Sequence, residues 1–323
     1  MSSDLYIAWW NLENLFDIER STTRPEWLKN RLKSELKGWN ASVLNEKLKQ
    51  LAKVISSMNN GQGPDLLGVC EVESEGVLAK LIDKLSGTGR DYGIVHADTS
   101  DNRGIDVAFI YDKNKLETDP SVIFNRVILK RNATRDLLQA TFTTSEGNTF
   151  IIIGNHWPSR RGGEEASAPY RMMAGETLSY WIERIKEKLG EVPVFVMGDF
   201  NDEPFNHSLI NYALSCKSIS KVKSKRAKNP YLYNLMTHLM GEDIATHSYD
   251  KTWGMLDQLL VNRAGLEKTG IYCTPKAAEI FTLPEMIKRD TPVRFGRPST
   301  KGGHNPQGYS DHLPIVLGLK QSD

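Results

Sequence analysis

The sequence contains few cysteines and no long hydrophobic run. Three cysteines among 323 residues, at no metal-like spacing, argue against a disulfide scaffold and against a cysteine-rich zinc site. No apolar run approaches the ~20 residues of a membrane-spanning helix, so we expect no stable membrane association. The first four residues lack the basic and then apolar pattern of a secretory signal, which favours a cytoplasmic location.

The chain also carries almost no net charge and lacks the motifs of several enzyme classes. The chain has 41 Lys and Arg residues against 40 Asp and Glu residues, and a net charge of +1 is not typical of a nucleic-acid-binding protein. Its basic residues are concentrated at 217–228, which we interpret as a solvated loop, and at 289–301, close to Asp311. The chain contains neither a phosphate-binding G-x-x-x-x-G-K-[ST] loop nor a G-x-S-x-G nucleophile motif.

The sequence does contain a series of short apolar runs, each next to polar residues. Runs of four to seven residues, rich in β-branched and aromatic side chains, predict buried strands. The runs are continuous rather than alternating, which predicts strands covered on both faces. They lie at 5–10, 66–70, 107–111, 150–154, 192–197, 258–261 and 313–317.

The polar residues beside these runs predict a single site. If the strands that end in polar residues are antiparallel to those that begin with them, all of these residues lie at one edge of the sheets. A site would then be built from segments spread over the whole chain. The residues that follow a run are Asn11, Glu71, Asn155, His156, Asp199 and Asn201, and those that precede one are Asp106, Asp257, Asp311 and His312.

Two helices are predicted from apolar residues that recur on one face, at 42–58 and at 170–189. Asn40 or Ser42 provides the N-cap of the first helix, and Gly190 marks the end of the second. Helices that alternate with strands predict helical layers outside the sheets, and hence an α/β fold.

We expect one catalytic domain over residues 1–323, because no low-complexity linker divides the chain. The segments 20–40 and 217–250, rich in charge and aromatic residues, are interpreted as insertions. The segment 274–310, rich in proline and glycine, is interpreted as a long loop before the last strand.

Three carboxylates beside apolar strands, Glu71, Asp199 and Asp311, predict a metal site. Like charges repel in a low-dielectric site, and a hard divalent cation with oxygen ligands relieves that repulsion. Mg²⁺, or Mn²⁺ with the same ligands, is the expected cofactor. Asn11 and Asn201 add neutral groups that can orient a ligand or a water molecule.

Two histidines, His156 and His312, are placed to meet a phosphate. Each can direct one ring nitrogen toward phosphate and the other toward a carboxylate, which fixes the tautomer and raises basicity. We predict Asp257 as the partner of His312 and Asp106 as the partner of His156, on the assumption that these segments converge.

The loop after His156 carries Arg160 and Arg161, followed by two glycines. This pattern predicts either a solvated turn or a flexible clamp on the phosphate of the substrate.

These motifs, in this order, resemble the endonuclease/exonuclease/phosphatase superfamily, which includes deoxyribonuclease I. The segments Gly-Asp-Phe-Asn at 198–201 and Ser-Asp-His-Leu-Pro at 310–314 are the most specific, and the resemblance extends from Asn11 to Leu319. It implies a four-layer α/β sandwich, in which two mixed, mostly antiparallel sheets lie face to face with helices outside. It also implies a requirement for Mg²⁺ or Mn²⁺, and direct attack of water on phosphorus.

The resemblance also implies roles for the metal-side residues. Glu71 is similar to the principal metal ligand of the family, with Asn11 nearby and Asp311 as a further carboxylate. Asp199 is similar to the residue that orients or deprotonates the attacking water, and Asn201 to a ligand of phosphate or water.

On the phosphate side, His312 supported by Asp257 is similar to the histidine that contacts the scissile phosphate, and His156 to a second histidine. One departure is Cys70, which stands where the family usually has Gln before the metal-binding Glu71. Glu73 lies close enough in sequence to compete for that role.

The leading functional hypothesis is a nuclease, a phosphodiesterase that acts on nucleic acid. The basic clusters could bind the backbone, and aromatic residues could stack on bases. The candidate aromatic residues are Trp27, Trp39, Trp157 and Trp253.

Two alternatives remain open. The first is a phosphatase or phosphodiesterase for small phosphate esters or lipid headgroups. A lipid enzyme should expose an apolar loop, and 280–287 is either such a loop or an amphipathic core segment. The second is an inactive binding module on the same fold, against which the retained carboxylates and histidines argue.

Overall fold

The computed structural model describes residues 5–130 and 134–322. Residues 1–4, on which the expectation about a secretory signal rested, lie outside this range.

The α-helices are α1 (Glu26–Leu32), α2 (Ala41–Gly61), α3 (Glu75–Asp83), α4 (Glu164–Leu189) and α5 (Ile219–Lys223). The strands are β1 (Leu5–Leu15), β2 (Leu66–Val72), β3 (Tyr92–His96), β4 (Asp106–Asp112), β5 (Leu116–Glu117), β6 (Ile123–Arg126), β7 (Leu137–Thr144), β8 (Thr149–His156), β9 (Val194–Asp199), β10 (Ser215–Cys216), β11 (Leu232–Asn234), β12 (His247–Tyr249), β13 (Thr252–Gly254), β14 (Asp257–Val261), β15 (Gly270–Tyr272), β16 (Ala278–Ile280), β17 (Ile287–Lys288), β18 (Thr291–Pro292) and β19 (Ile315–Ser322).

Two large sheets organise these strands. In the first sheet the order is β15-β19-β1-β2-β4-β3, and β16 also pairs with β19. In the second sheet the order is β10-β11-β14-β9-β8-β7-β5, and β6 also pairs with β7. Most pairings are antiparallel, but β1 is parallel to β2, β8 to β9 and β10 to β11. Each sheet therefore brings segments that are distant in sequence to its centre.

The apolar runs form two kinds of packing surface. Along β1, Ile7 and Trp9 belong to the core between the two sheets, whereas Ala8 and Trp10 belong to the core beneath the first helical layer. Both faces of the strand are thus covered, which explains why the run is continuously apolar. Phe109 from the first sheet and Phe195 from the second lie in the same inter-sheet core.

Helices complete the two outer layers. α2 packs its apolar face, which includes Leu48 and Leu51, against the first sheet. α4 packs Leu178 and Ile182 against the second sheet. The order of layers is helix, sheet, sheet, helix, so the predicted four-layer α/β sandwich is confirmed.

The two predicted helices are present, and one begins earlier than expected. Asn40 caps α2, since its side chain accepts hydrogen bonds from the backbone N–H groups of Ser42 and Val43. α4 begins at Glu164 rather than at residue 170, and it contains Pro169. The prediction rested on the apolar residues from Leu178 to Leu189, which do not show where the first turn begins. In the structure Gly163 precedes the helix with a φ of 115°, and the helix continues through the proline.

The segments that were interpreted as insertions are parts of the fold. Segment 20–40 contains α1, and Leu32 and Trp39 are buried in the core beneath α2. Segment 217–250 contains α5, β11 and β12, and Leu235 lies in the inter-sheet core. Segment 274–310 is less irregular than expected, because it contains β16, β17 and β18. Within the described part of the chain, no helix is long and apolar enough to cross a membrane.

Candidate active site

Polar residues from both sheets converge at one edge of the sandwich. In the second sheet, Asp199 at the end of β9 is in register with both His156 at the end of β8 and Asp257 at the start of β14. In the first sheet, Asn11 of β1 is in register with the residue before Glu71. The Nδ2 atom of Asn11 donates a hydrogen bond of 3.1 Å to Asp199 Oδ2 and so joins the two sheets.

His312 and Asp257 form a buried pair. The Nδ1 atom of His312 donates to Asp257 Oδ2 at 2.6 Å, and Trp9 Nε1 donates to Asp257 Oδ1 at 3.0 Å. The Nε2 atom of His312 lies 3.8 Å from Asp199 Oδ2. Burial opposes the charge on His312, but Asp257 and Asp199 raise its pKa well above the ordinary value. The contact expected between His312 and Asp257 is present, and the two carboxylates favour the imidazolium form of the ring.

Asp199 is buried, with 2% of its surface exposed. In addition to the bond from Asn11, its Oδ1 accepts a hydrogen bond of 3.0 Å from the backbone N–H of Asn201. Burial raises the pKa of Asp199, the neighbouring Asp257 raises it further, and His312 opposes the rise. A carboxylate with a raised pKa and fixed donors is suited to accept a proton from water.

His156, at the end of β8, lies close to the carboxylates of Glu71 and Asp199. Its Nε2 lies 3.7 Å from both Glu71 Oε1 and Asp199 Oδ2. Its Nδ1 has no hydrogen-bond partner within residues 5–130 and 134–322. Burial, together with the charges of Arg135 and Arg103, lowers the pKa of His156 well below the ordinary value. Burial and the two guanidinium groups therefore favour the neutral form of the ring, which can donate a hydrogen bond to a substrate oxygen.

Asp106 does not provide the predicted partner of His156. Its Oδ2 lies 3.3 Å from His96 Nε2, and its Oδ1 accepts a hydrogen bond of 2.7 Å from the hydroxyl of Thr99. Asp106 begins β4 in the first sheet, where it closes the loop from β3 rather than reaching His156 in the second sheet. The order of these residues along the chain contains no information on which histidine pairs with Asp106.

Glu71 is held at the reaction centre, whereas Glu73 is not. Burial opposes ionisation of Glu71, but the Arg103 guanidinium holds the pKa of this carboxyl below its ordinary value. Arg103 Nη2 lies 3.2 Å from Glu71 Oε1, and the backbone N–H of Asn14 donates to Oε2 at 3.0 Å. Glu73 instead forms a buried ion pair with Arg24 at 2.5 Å. The geometry supports the choice of Glu71 over Glu73.

Strained backbone accompanies this geometry. Glu71, with a φ of 60°, and Asn201, with a φ of 51°, occupy the left-handed region that non-glycine residues rarely adopt. Glu13 and Asn14 on β1 do the same. Such strain tends to collect at functional sites, where the surrounding structure overcomes its cost.

Two residues that were not identified from the sequence lie at the metal side. Glu13 is buried and accepts hydrogen bonds from Arg294 Nε at 2.8 Å and from the backbone N–H of Phe295 at 2.9 Å. Lys47 is fully buried in α2, and its Nζ has no hydrogen-bond partner among the described residues. Its position on the apolar face of α2, next to Leu48, was a signal that the sequence offered. Arg294 belongs to the basic stretch 289–301, and its Nη2 lies 3.4 Å from Asp311 Oδ2.

The arrangement fits a hard divalent cation. Burial raises the pKa of Glu13, and the nearby charge of Asp311 raises it further, as Asp257 does for Asp199. Such crowding of carboxylates is relieved by a bound cation. The donors that can hold it, the carboxylates of Glu71 and Asp311 and the amide of Asn11, are oxygen ligands of the kind that Mg²⁺ and Mn²⁺ take.

The structure separates Arg160 from Arg161. The Nε atom of Arg160 donates to the backbone carbonyl of Asn201 at 2.8 Å, and its Nη2 lies 3.3 Å from Asp202 Oδ1. Arg160 therefore supports the loop around Asn201 and is not available as the predicted phosphate clamp. Arg161 is exposed and lines a cleft beside the site.

Most features that were proposed to grip nucleic acid lie elsewhere or are buried. Trp39 and Trp157 are fully buried and cannot stack on bases, whereas Trp27 is 52% exposed and Trp253 is half-buried. The basic segment 217–228 lines cavities near Val194 and Asn262, at the end of the second sheet opposite to the site. The apolar segment 280–287 packs against the core, since Met286 is buried. It is therefore the amphipathic core segment rather than a lipid-facing loop.

Comparison with known proteins identifies the family. A sequence model described as the endonuclease/exonuclease/phosphatase family matches residues 6–321. The chain belongs to this family. The prediction that was made from its motifs is confirmed, and the chain is accordingly a phosphoesterase of that superfamily. No curated protein is significantly similar to the chain in sequence.

Solved structures of the family share the fold. A family protein from Bacteroides thetaiotaomicron is 15% identical, with a TM-score of 0.59 over 100% of this chain and 99% of that one. Humanised D. rerio TDP2 is 14% identical, with a TM-score of 0.60 over 98% of each chain. A mannosyl-6-phosphatase from Bacteroides thetaiotaomicron is 16% identical, with a TM-score of 0.56 over 98% of this chain and 99% of that one. At these identities the similarity establishes the architecture alone.

Proposed function

We propose that this family member hydrolyses phosphodiesters by direct attack of water, with Mg²⁺ or Mn²⁺ as cofactor and nucleic acid as the leading substrate class. The observation that carries the proposal is the buried relay in which Asp257 holds His312 at 2.6 Å while His312 lies 3.8 Å from Asp199. This relay places a charged donor and a proton acceptor side by side. A proton acceptor for the water and a charged donor to the phosphoryl oxygens each accelerate the hydrolysis of a phosphoester by water.

Asp199 accepts the proton of the attacking water in this mechanism. Asn11 and the backbone N–H of Asn201 each donate to one of its two oxygens, so each oxygen keeps a lone pair that can accept from the water. The water attacks phosphorus in line with the leaving oxygen, and no covalent intermediate with the protein forms.

His312 and His156 bind the phosphoryl oxygens. His312 donates from Nε2 as an imidazolium, and Asp257 fixes the ring through Nδ1. His156, whose burial favours the neutral ring, donates through the N–H that faces the substrate. These preorganised groups stabilise the charge that develops on the phosphoryl oxygens in the transition state.

Glu71, Asn11 and Asp311 would hold the cation, and the carboxylate of Glu13 lies near Asp311. A bound Mg²⁺ or Mn²⁺ would supply Lewis-acid stabilisation of the phosphoryl oxygens. Arg294 keeps Glu13 and Asp311 in place through contacts of 2.7 and 3.4 Å.

Two observations support nucleic acid as substrate. Arg103 and Arg135 place positive charge next to the reaction centre. A related structure, D. rerio TDP2, is a complex with a single-strand DNA product, with a TM-score of 0.60 to this chain. A small phosphate ester is the second candidate. The net charge of +1, the buried tryptophans and the similarity to the mannosyl-6-phosphatase favour it.

An activity panel tests the proposal. The purified chain is incubated with Mg²⁺, Mn²⁺ or EDTA and single-stranded DNA, double-stranded DNA, RNA, mannose 6-phosphate, inositol phosphates or sphingomyelin. We expect turnover that EDTA abolishes and that Asp199→Asn lowers by about 10²–10⁴-fold. Cleavage of nucleic acid supports the leading substrate class, and release of phosphate from a small ester supports the second candidate.

Metal binding without turnover on any substrate would contradict the proposal and leave the inactive binding module. Turnover that persists in EDTA would contradict the metal requirement. Circular dichroism of Asp199→Asn shows whether its loss of activity occurs in a folded protein.

A further inference from the structure

The pair of Asp257 and His312 joins segments that belong to different sheets. Asp257 begins β14 in the second sheet, whereas His312 lies just before β19 in the first sheet. The hydrogen bond of 2.6 Å between the two side chains therefore depends on how these segments are held against each other. Both segments are contacted by Thr246 and His247, at the point where β12 begins.

Thr246 is fully buried, and it forms hydrogen bonds with both segments. Its hydroxyl oxygen accepts hydrogen bonds from the backbone N–H groups of Leu256, at 3.0 Å, and Asp257, at 2.9 Å. Its backbone carbonyl accepts a hydrogen bond of 2.7 Å from the backbone N–H of Leu313, the residue after His312. One buried residue thus joins the backbone at Asp257 to the backbone beside His312, where no water can replace a lost bond without cost.

His247 packs against the ring of His312. The two ring centroids lie 4.6 Å apart with an angle of 44° between the ring planes, and the two backbones form an antiparallel bridge. Burial, together with the charge of His312, lowers the pKa of His247 to about 3, so its ring brings no second positive charge to this contact. A neutral ring in this position restricts the rotation of the His312 side chain without opposing its charge.

The backbone of His312 is fixed independently of its ring. Ser310 Oγ accepts a hydrogen bond of 3.1 Å from the backbone N–H of His312, and Trp10 Nε1 donates to its carbonyl at 2.8 Å. The direction of the ring is therefore set by the groups that contact the side chain, which are Asp257 at Nδ1 and His247 against the ring.

We propose that Thr246 and His247 are positioning residues, which hold Asp257 and His312 in the mutual orientation that hydrolysis needs. Thr246 fixes the two backbones relative to each other, and His247 fixes the ring. The proposal rests on the proposed function of His312 as a donor to the phosphoryl oxygens.

Nuclear magnetic resonance without substrate tests the positioning directly. The proton between His312 Nδ1 and the carboxylate of Asp257 should give a resonance at low field, which is assigned by its loss in His312→Gln. Thr246→Val keeps the shape of the side chain but removes the acceptor oxygen. We expect it to weaken or abolish the resonance, because the proton then exchanges faster with water. Thr246→Ser, which keeps the oxygen, should retain the resonance.

Variants of His247 give a second comparison. His247→Ala removes the ring and should weaken the resonance, whereas His247→Phe keeps an aromatic ring in place and should retain it. Because His247 is only partly buried, this comparison remains informative if Thr246→Val folds poorly. Thr144→Val is the matched control and should leave the resonance unchanged. Thr144 is also buried, and its hydroxyl accepts a backbone N–H, that of Asn148 at 3.2 Å, in the turn between β7 and β8.

Turnover gives the second readout. On the substrate that the activity panel identifies, Thr246→Val and His247→Ala should lower kcat by about tenfold or more and leave KM nearly unchanged. This split is expected because both residues act through His312, which stabilises the transition state. Thr246→Ser, His247→Phe and Thr144→Val should retain most of the turnover.

An unchanged resonance in both Thr246→Val and His247→Ala would overturn the proposal, as would an equal loss of the resonance in Thr144→Val. A change in KM alone would also overturn it, since a positioning residue acts on kcat. Because the resonance is recorded without substrate, its result stands whether or not the activity panel finds turnover. Failure of the positioning role and failure of the proposed function are therefore distinguished.

Discussion

Single side chains decide the charge at the reaction centre, and His312 is the clearest case. Its pKa is raised because Asp257 and Asp199 outweigh the effect of burial. A raised pKa means that the imidazolium is present below that value and is lost as the pH rises through it. The rate of hydrolysis should therefore fall on the alkaline side as His312 deprotonates.

Asp257→Asn should move this alkaline fall to lower pH. The substitution removes the largest charge that stabilises the imidazolium, so we expect a shift of about one to three pH units. We also expect kcat at neutral pH to fall by about 10²-fold or more, because a donor to the transition state is lost. The pH profile of kcat/KM on a phosphodiester measures both effects. Asp106→Asn is the matched control, since Asp106 contacts His96 instead, and an equal shift in that variant would contradict the assignment.

Glu71 and Glu73 form a natural pair for separating function from stability. Glu73→Gln should lower the free energy of unfolding by about 3–5 kcal/mol, because it leaves Arg24 buried without its counter-charge. Glu71→Gln should change stability little and should instead weaken Mn²⁺ binding and abolish turnover. Urea denaturation and calorimetric titration with Mn²⁺ give the two readouts. The assignment of the metal side would be wrong if Glu73→Gln alone weakened Mn²⁺ binding.

Helices and strands show how far the sequence could predict this molecule. The positions of seven strands (β1, β2, β4, β8, β9, β14 and β19) and the edge at which Asn11, Asp199 and Asp257 meet followed from apolar runs with polar ends, since burial on both faces leaves such a pattern. β3 and β7 were not predicted. α3 was not predicted, although Ser74 caps it, because its nine residues carry too short an apolar pattern. Contacts between residues of unrelated segments, such as Asp106 with His96, leave no periodic signal.

Residues whose roles depend on tertiary contacts also could not be predicted from the sequence. Glu13 and Lys47 interact electrostatically because β1 and α2 lie in adjacent layers, and their separation in the sequence shows nothing of this. The pairing of His312 with Asp257 was predicted on the assumption that their segments converge, and the resemblance supported it; the spacing of the two residues did not require it. Lys47, on the apolar face of α2, was the local feature of the sequence that indicated a buried charge.

The N-cap of α2 provides a prediction at the level of the element. Asn40 Oδ1 accepts hydrogen bonds of 2.9 and 3.2 Å from the backbone N–H groups of Ser42 and Val43. Asn40→Ala should therefore lower the free energy of unfolding by about 1 kcal/mol. Ser42→Ala, the other N-cap candidate, should change it by less than about 0.5 kcal/mol. Urea denaturation of both variants measures the difference, and equal losses would contradict the assignment of the cap.

At the scale of the whole molecule, the site requires the two packed sheets to keep their relative position at one edge. Asn11 from the first sheet donates to Asp199 in the second, and Trp9 from the first sheet donates to Asp257 in the second. The site therefore depends on packing across the inter-sheet core as much as on its own residues. A change in that core should affect both stability and chemistry.

Trp9→Phe tests this dependence. The substitution leaves Asp257 Oδ1 without its donor inside the core, so we expect a loss of about 1–3 kcal/mol in unfolding free energy. Since Asp257 then holds His312 less firmly, we also expect kcat to fall by about tenfold or more. Trp39→Phe is the matched control, because Trp39 is equally buried and donates to the backbone carbonyl of Phe16 beneath the first helical layer. It should show a similar loss of stability with nearly unchanged kcat. Equal losses of kcat in the two variants would mean that the site responds to general destabilisation rather than to the hydrogen bond that joins the sheets.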